Sequence, residues 1–512
     1  MKKIWGYIND ILFEFRPCFS RERAFLWFVV AAVGFMLRSD HLGVTSVIRE
    51  LDINSDRQYE CLLHFFRSKA WKLEELIKKW AELVIGSKWI YRGFDRPVLI
   101  GDGVDKSKEG KHMPSVKKLH QESENSGKPE YIWGHMFGGI GVLIGNAAKQ
   151  FCLPISMRIH DGNSTVREWT GSEYINDSHV TRLIREAFKI ATFFKEQCFL
   201  VLDRYFLSAN VLLALTEEAK SLGVQLITLV TKAKKNCVAY AKFVPAGGPV
   251  RPKRGRKPKE APKHGERVKV MDLFTSAAGQ FTHTRMPIYG KTTDVSYLCL
   301  NLLWGDGLFQ ELRFVLVSYD DVKSILVSTS LLLDPVKIIA LYCGRFKIEV
   351  LFKAFKQVLD GFGYHFWSFS VPKLNRRDPA KAADAKLKQA CLLSGQETCG
   401  LSGEVKKKAL KKEEKFKEAV INTYNATEGF VMLCCIAIGI LQLVSLSFTG
   451  ELNAAPIRWL RTYTNIVPSE DSTAAALRID YCRICDLWPS LGIVSIIRQK
   501  IYSKLPRSDV AA

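Results

Sequence analysis

Two short apolar segments, each followed at once by an aspartate, constrain the fold of this chain more than any other feature. Residues 98–101 (VLIG) precede Asp102, and residues 199–202 (FLVL) precede Asp203. Short apolar runs bounded by polar residues are typical of buried strands. A strand that is apolar throughout is buried on both faces, so helices must cover it. The pattern therefore predicts a sheet inside a large domain, with a carboxylate at the end of each of two strands.

Helical and strand patterns alternate around these two runs. Residues 131–144 and 150–159 are rich in glycine, aromatic and β-branched residues, which predicts neighbouring strands. Residues 179–195 and 207–222 carry helical patterns, and residues 225–231 (QLITLVT) form a further apolar strand pattern. Strands that alternate with helices indicate an α/β protein.

Composition and charge narrow the class of protein. The 512 residues include 74 Lys and Arg against 52 Asp and Glu, a net charge of +22. With 47% hydrophobic and 25% charged residues, the chain is of ordinary globular composition, which excludes a mainly disordered chain, a collagen-like repeat and a multi-span membrane protein. The positive excess favours a polyanionic partner, nucleic acid above all, over a membrane surface or a basic surface with no specific partner.

Local composition predicts five regions. Residues 1–92 form a helical N-terminal domain, possibly DNA-binding, in which residues 40–51 fit a short helix-turn-helix with Gly43 at the turn; plain helical packing explains that segment equally well. Residues 93–235 form the first part of an α/β core, and residues 236–330 form a β-rich insertion with a basic loop. Residues 331–450 form the second part of the core, with a charged insertion near 373–420. Residues 451–512 form a mainly helical C-terminal tail.

Apolar and cysteine-containing segments bear on the compartment. Residues 429–448 are long enough to span a membrane, yet we expect a helix buried in the α/β domain, and so a cytoplasmic protein without a membrane partner. Thirteen cysteines without regular spacing indicate reduced thiols rather than a disulfide framework. The single C-x-x-C pair, Cys482 and Cys485, is weak evidence for zinc, because a closed structural site needs four ligands.

The most informative segment is 341–360, LYCGRFKIEVLFKAFKQVLD, which we predict to be one helix. At about 100° per residue, one stripe on its surface about 60° wide carries four polar side chains. These are Tyr342, Arg345, Glu349 and Lys356. A separate apolar face carries Ile348, Leu351, Phe355 and Val358. An ion pair between Arg345 and Glu349 on a surface helix would explain only two of the four polar residues.

The polar stripe and the two strand-end aspartates predict metal-dependent phosphate chemistry. In open α/β sheets ligands bind at the carboxyl ends of the strands, where Asp102 and Asp203 are expected. Each aspartate alone is as readily explained by a turn, but the pair together with Glu349 favours two Mg²⁺ ions about 4 Å apart. Arg345, Lys356 and the Tyr342 hydroxyl could bind phosphate oxygens beside them. The predicted reaction is in-line phosphodiester cleavage and transfer.

These residues resemble the DDE transposases of bacterial insertion sequences, in the group with a Tyr-x2-Arg-x3-Glu-x6-Lys signature. Tyr342, Arg345, Glu349 and Lys356 match every gap of that signature. Two weaker motifs accompany it: Leu99-Ile100-Gly101-Asp102 followed by Lys108-x2-Lys111-His112-Met113-Pro114, and Val201-Leu202-Asp203-Arg204-Tyr205-Phe206. The resemblance spans roughly residues 20–360. The sequence departs from the family pattern after the first aspartate, where Gly103, Val104 and Asp105 follow. Asp105 therefore competes with Asp102 as the candidate metal ligand.

The resemblance implies an RNase H-like core interrupted by a β-rich insertion between the second aspartate and the glutamate. Asp102, Asp203 and Glu349 would bind Mg²⁺, with Mn²⁺ able to substitute. Tyr342, Arg345 and Lys356 would contact the transposon end, and a homodimer would act on paired inverted repeats of double-stranded DNA. In related enzymes a flipped base stacks on a tryptophan of the insertion, a role for which Trp304 is the candidate here.

Two features of the insertion are predicted from the residues themselves. Residues 295–303 and 308–317 flank the turn sequence WGDG and predict a β-hairpin. The basic loop 250–269 carries Arg254 and Arg256, which are expected to lie on phosphates, in a minor groove or along the backbone, although a solvated loop would show the same composition. Alternatives to a transposase are an RNase H-like nuclease without strand transfer and a DNA-binding protein derived from a transposase.

Overall fold

The structure is a computed structural model of the whole chain. It describes residues 1–41, 43–53, 55–120, 127, 129–147, 149–162, 166, 178–243, 263–371, 373, 403–454 and 467–502. The basic-loop residues Arg254 and Arg256, most of the predicted charged insertion and residues 455–466 and 503–512 of the tail lie outside this part of the chain.

The described residues form a mixed α/β protein with a large mixed sheet, as the alternation of patterns predicts. The helices are α1 (Lys2–Phe13), α2 (Glu22–Leu37), α3 (Val44–Glu50), α4 (Asp56–Arg67), α5 (Leu73–Ile85), α6 (His179–Phe194), α7 (Ala209–Leu222), α8 (Leu273–Ser276), α9 (Pro335–Gly344), α10 (Phe346–Gln357), α11 (Gly403–Ser447), α12 (Thr449–Asn453), α13 (Glu470–Leu487) and α14 (Gly492–Tyr502). The strands are β1 (Val98–Ser107), β2 (Lys117–His120), β3 (Tyr131–Gly145), β4 (Gln150–Ile159), β5 (Cys198–Val201), β6 (Ile227–Lys232), β7 (Val238–Tyr240), β8 (Arg267–Lys269), β9 (Thr282–Ile288), β10 (Lys291–Trp304), β11 (Gln310–Tyr319) and β12 (Val322–Ser328).

The chain divides into two compact units. The first unit comprises Met1–Ile90, Gly103–His179 and Glu349–Ala512. The second unit comprises Tyr91–Asp102 and Val180–Ile348. The division falls inside β1 and inside α10, so both elements contribute residues to both units.

In the second unit, β5 lies between two parallel neighbours. The beginning of β1 pairs with β5 in the register Val98↔Phe199 to Ile100↔Val201. On its other edge β5 pairs with β6, also parallel. From β6 the sheet continues through β12, β11 and β10, all antiparallel. The predicted strands at 199–202 and 225–231 are therefore confirmed, each within a few residues of its expected bounds. The strand predicted at 98–101 is also present, but the prediction that it ends at Asp102 is wrong, because β1 also hydrogen-bonds to β3 and continues through Asp102 to Ser107.

The predicted hairpin of the insertion is also confirmed. Strands β10 and β11 pair antiparallel from Ser296↔Ser318 to Trp304↔Gln310. Gly305 and Gly307 in the connecting turn have φ of 88° and 79°. These angles lie in the left-handed region that glycine adopts without steric cost, which explains why the turn sequence contains two glycines.

In the first unit, the apolar helices α2 and α11 form the core together with β4. The predicted apolar run at 429–448 belongs to α11, and the most apolar window of that helix is completely buried. Neighbouring side chains close around it: Gly439 lies against Trp80, whose indole N–H donates to the Pro154 carbonyl at 2.8 Å. In the described part of the chain this is the one helix long and apolar enough to cross a membrane, and its most apolar window is buried against the rest of the protein.

One prediction about the signature segment is wrong. Residues 341–360 do not form a single helix, because α9 ends at Gly344 and α10 begins at Phe346. Arg345 stands between them with helical backbone angles (φ −54°, ψ −38°). Its N–H donates to the Tyr342 carbonyl, a three-residue spacing that tightens the chain there. Gly344 favours such a break, since glycine is a weak helix former.

Candidate active site

The two aspartates differ in their place on the strands: Asp102 lies inside β1, and Asp203 lies two residues beyond the end of the neighbouring strand β5. Extending the parallel register from Ile100↔Val201 by two residues sets Asp102 opposite Asp203. Beyond Asp203 the chain turns into a short 3₁₀ helix, Arg204–Phe206. The Thr231 hydroxyl, at the end of β6, donates to the Asp203 carbonyl at 2.8 Å and fixes this turn. Asp102 and Asp203 therefore both lie just beyond the residues through which β1 and β5 pair.

Asp102 is paired with the arginine of the signature. The Arg345 Nη1 donates to Asp102 Oδ2 at 3.1 Å. Both side chains are partly buried, with 15% of the Arg345 side chain and 24% of the Asp102 side chain exposed. A charge-assisted contact with this little solvent is stronger than a pair on the open surface. The break between α9 and α10 places the guanidinium at this aspartate.

Asp203 is paired with the tyrosine of the signature. The Tyr342 hydroxyl donates to Asp203 Oδ1 at 3.3 Å. Burial, the negative charge of Asp203 and this hydrogen bond raise the pKa of Tyr342 well above its usual value. The phenol is therefore a neutral donor at physiological pH. Asp102, Asp203, Tyr342 and Arg345, which we call the strand-end site, all belong to the second unit.

Lys232 is a neighbour of this site that the sequence patterns did not single out. It is the last residue of β6, and burial together with the charges of Arg204 and Arg345 lowers its pKa, while Asp203 raises it. Ligands bind at the carboxyl ends of strands in open α/β sheets, and this rule, which identified the aspartates, also predicts a functional residue at the end of β6. It adds a positive charge near the two carboxylates.

Two aromatic rings near Tyr342 were also missed. Tyr289 and Phe346 are 59% and 49% exposed, and their ring centroids are 6.3 Å apart. Tyr289 is in the turn between β9 and β10 with φ of 47°, a left-handed angle that is uncommon for a bulky residue. Its negatively charged form would contribute to the raised pKa of Tyr342, which indicates that the two tyrosines are close.

Glu349 and Lys356, the remaining signature residues, are exposed on α10. Ile348, Leu351 and Phe355 of the same helix are buried and Val358 is half-buried, as the predicted apolar face requires. Glu349 and Lys356 belong to the first unit. Their predicted roles, metal ligand for Glu349 and phosphate ligand for Lys356, stay predictions.

Asp105, the competing first aspartate, has a different environment. It lies three residues after Asp102 on β1, and odd spacing on a strand sets two side chains on opposite faces. Burial and the charge of Asp161 raise the pKa of Asp105, while Lys356 and Lys117 lower it. The hydrogen bond from Arg345 goes to Asp102, which favours Asp102 as the functional carboxylate.

Trp304 has an internal partner in the structure. It is the half-buried last residue of β10 and its indole hydrogen-bonds the thiol of Cys237. Burial raises the pKa of that thiol to about 11, and the bond from Trp304 opposes the rise. Base stacking by Trp304 stays a prediction, as do the DNA contacts of Arg254 and Arg256.

A second group of polar residues lies in the first unit and is enclosed. The Lys108 Nζ donates to the carbonyls of Phe362 and Tyr364 at 2.6 and 2.9 Å. The Tyr364 hydroxyl donates to His135 Nδ1 at 2.6 Å, and His135 Nε2 lies 2.8 Å from the Pro114 carbonyl. His135 and Tyr364 are fully buried and Lys108 is 7% exposed. We call Lys108, His135 and Tyr364 the buried polar cluster; its burial indicates a structural role.

Within the described ranges, no group of three or more His, Cys, Asp or Glu side chains is arranged to hold a metal ion. No protein-family model, no curated protein and no solved structure matches the chain. The strand-end site and the signature spacing therefore carry the functional argument.

Proposed function

We propose that this chain is a DDE transposase that cleaves DNA at the terminal inverted repeats of an insertion sequence and joins the ends to target DNA. The supporting observation is the strand-end site. Asp102 and Asp203 each lie two residues beyond the last printed pair of the parallel strands β1 and β5, Ile100 and Val201, and the Tyr and Arg of the signature each contact one of them. Residues from three separate parts of the sequence meet there. A chance ion-pair face on a surface helix would not bring them together.

The carboxylates fit a divalent cation. Magnesium prefers carboxylate oxygens, and Asp102 and Asp203 provide them on adjacent, rigid strands. Asp102 keeps 24% of its side chain exposed, which leaves a route from solvent. Glu349 would be the third ligand, by its place in the signature. When bound, Mg²⁺ would lower the pKa of an attacking water or 3′-hydroxyl and stabilise charge on the leaving oxygen.

The other residues of the signature would bind the DNA backbone. The Arg345 guanidinium suits a phosphate because its planar fork can donate two parallel hydrogen bonds. The Tyr342 hydroxyl, kept neutral by its raised pKa, would donate a third. Lys356 would add a mobile positive charge along the helix. The net charge of +22 supplies the long-range attraction to DNA.

The full proposal includes an RNase H-like core with the β9–β12 segment in its insertion, and a homodimer on paired ends. The mixed sheet supports the core, because β1, which carries Asp102, is parallel to β5, which precedes Asp203. The insertion is supported by the position of the antiparallel strands β9 to β12, which lie between Asp203 and Tyr342 in the chain.

Cleavage of a labelled duplex tests the proposal. The duplex carries the inverted repeat that flanks the coding sequence, and the reaction contains Mg²⁺. We expect the wild type to cut at the repeat end and Glu349→Gln to bind the duplex without cutting. Lys353→Gln is the matched control, since Lys353 is an exposed residue of the same helix, outside the signature.

Three other outcomes would change the assignment. Cutting without joining to a second duplex would favour an RNase H-like nuclease. Sequence-specific binding by both proteins with no cutting would favour a DNA-binding protein derived from a transposase. Equal cutting by the wild type and Glu349→Gln would remove Glu349 from the chemistry.

A further inference from the structure

The phosphate-binding residues of the strand-end site are engaged by its carboxylates. Arg345 donates to Asp102 at 3.1 Å and Tyr342 donates to Asp203 at 3.3 Å. Both donors are the groups that would hold a DNA phosphate under the proposed function. Both acceptors are the groups that would hold a metal ion. Two of the three proposed metal ligands, Asp102 and Asp203, therefore each contact one of the proposed phosphate ligands.

The charges of the site oppose the entry of a phosphate on its own. Two carboxylates and one guanidinium give the strand-end site a net charge of −1, with Lys232 as a further cation close by. A phosphate that approaches Arg345 also approaches Asp102, because the two side chains are in contact. The site is only partly exposed, so solvent screens this repulsion less than on an open surface.

A divalent cation on the carboxylates would reverse this balance. It adds two positive charges and competes with Arg345 and Tyr342 for the same carboxylate oxygens. The guanidinium and the phenol would then be available to a phosphate. By linkage, a ligand that makes the second ligand bind more tightly is itself bound more tightly in return.

We propose that Asp102 and Asp203 restrain Arg345 and Tyr342 in the metal-free protein, so that divalent cation and DNA backbone bind with positive cooperativity. The inference rests on the proposed function, but it concerns binding alone. It makes the protein a poor ligand for DNA at this site until a cation is present. Restraint of this kind would prevent a DNA phosphate from binding next to the two carboxylates before the cation has bound.

Equilibrium binding of a short duplex with and without Ca²⁺ tests the inference, since Ca²⁺ binds the same class of oxygen ligands. Ionic strength is matched with KCl. Divalent ions usually weaken protein–DNA binding because they screen and occupy the phosphates. We expect the wild type to do the opposite and to bind about tenfold more tightly with Ca²⁺, within the usual range of coupling between two sites.

Asp102→Asn separates restraint from simple metal bridging. Without Ca²⁺ the variant is expected to bind DNA about tenfold more tightly than the wild type, because the substitution removes the negative charge of Asp102 that Arg345 contacts. The response to Ca²⁺ should shrink as well. Asp95→Asn is the matched control, since Asp95 is an exposed residue of the same unit whose partner is Lys337. Asp203→Asn provides the same test at Tyr342 if the first variant does not fold.

The outcomes distinguish this inference from the proposed function. Wild-type binding that Ca²⁺ weakens or leaves unchanged, or metal-free binding by Asp102→Asn that is no tighter than wild type, overturns the restraint. Mg²⁺-dependent cleavage in the same preparation would then keep the transposase proposal. Cation-enhanced binding without cleavage would keep the restraint and count against the transposase.

Discussion

The strand-end site and the buried polar cluster are two polar centres of one chain, and they differ in access to solvent. In the strand-end site, 15% of the Arg345 side chain and 24% of the Asp102 side chain are exposed. In the buried polar cluster, His135 and Tyr364 are fully buried and Lys108 is 7% exposed. The partners differ too: carboxylates and their donors in the first case, backbone carbonyls and neutral groups in the second.

The difference separates polar groups that can exchange partners from polar groups that hold the fold. A carboxylate with some exposure can replace one ligand by another at modest cost. A buried histidine or lysine cannot, because each unmade hydrogen bond in the interior costs about 1–3 kcal/mol. Substitutions in the strand-end site should therefore change function with little loss of stability. Substitutions in the buried polar cluster should lower stability and leave the function of the folded protein unchanged.

The largest effect is expected from Asp203→Asn. Under the proposed function Asp203 binds Mg²⁺, and loss of a metal ligand would remove several kcal/mol of transition-state stabilisation, so cleavage should fall at least about 10³-fold. The free energy of unfolding, measured in urea, should change by less than about 1 kcal/mol because Asn keeps the side-chain volume. Asp95→Asn serves as the control with normal cleavage. A loss of stability large enough to explain the loss of cleavage would contradict the distinction between the strand-end site and the buried polar cluster.

Tyr364→Phe should act on stability alone. The change leaves His135 Nδ1 without the 2.6 Å hydrogen bond from the phenol, at a cost of about 2 kcal/mol in the free energy of unfolding. Urea denaturation measures the loss, and cleavage by the folded fraction should stay normal. Tyr131→Phe on the same strand as His135 is the control, because Tyr131 is 45% exposed. An unchanged unfolding midpoint for Tyr364→Phe would show that the cluster does not hold the fold.

Lys108 should make stability depend on pH. Burial lowers the pKa of Lys108 to about 7, from 10.5 in an unfolded chain. Between these values the unfolded state binds a proton that the folded state does not, so stability rises with pH. The contribution is about 1.4 kcal/mol per pH unit between pH 7 and 10.5, and it is constant below pH 7. Urea denaturation at pH 7.5 and 8.5 should show this slope in the wild type and a smaller one in Lys108→Met.

The matched control for Lys108 is Lys111→Met, because Lys111 is exposed in the same segment. In Lys111→Met the free energy of unfolding should rise with pH as steeply as in the wild type. The same slope in all three proteins would mean that Lys108 is charged in the folded state. The buried polar cluster would then resemble the strand-end site more closely than its burial indicates.

The smallest effect is expected from Thr231→Val. Thr231 is 1% exposed and its hydroxyl supports the Asp203 carbonyl. The variant should lose about 1 kcal/mol of stability. Cleavage should fall about tenfold, because a carboxylate displaced by a fraction of an ångström acts less well. Thr228→Val, on the same strand, is the control. Normal cleavage by Thr231→Val would show that the turn after β5 holds its position without this bond.

Much of the fold could be predicted from the sequence because the patterns are local. Apolar runs of four residues predicted strands β1 and β5, although β1 continues past Asp102 to Ser107, and WGDG predicted the β10–β11 turn. The apolar run at 429–448 fitted a membrane span as well as a buried helix, and its burial was expected from the α/β pattern of the rest of the chain. The single helix over 341–360 was wrong, since periodicity continued through Arg345 while the hydrogen bonding did not.

The sequence by itself determined the α/β class, the two strand-end aspartates and the spacing of the Tyr-Arg-Glu-Lys residues. These depend on residue type and short-range periodicity, which a single chain displays directly. Only the tertiary structure decided that Asp102 contacts Arg345, that Asp203 contacts Tyr342, and that Lys108 is buried in another part of the molecule. Tyr342 and Asp203 are 139 positions apart in the sequence, and Lys108 and Phe362 are 254 positions apart. Such contacts depend on strand register and packing, and no local sequence pattern encodes them.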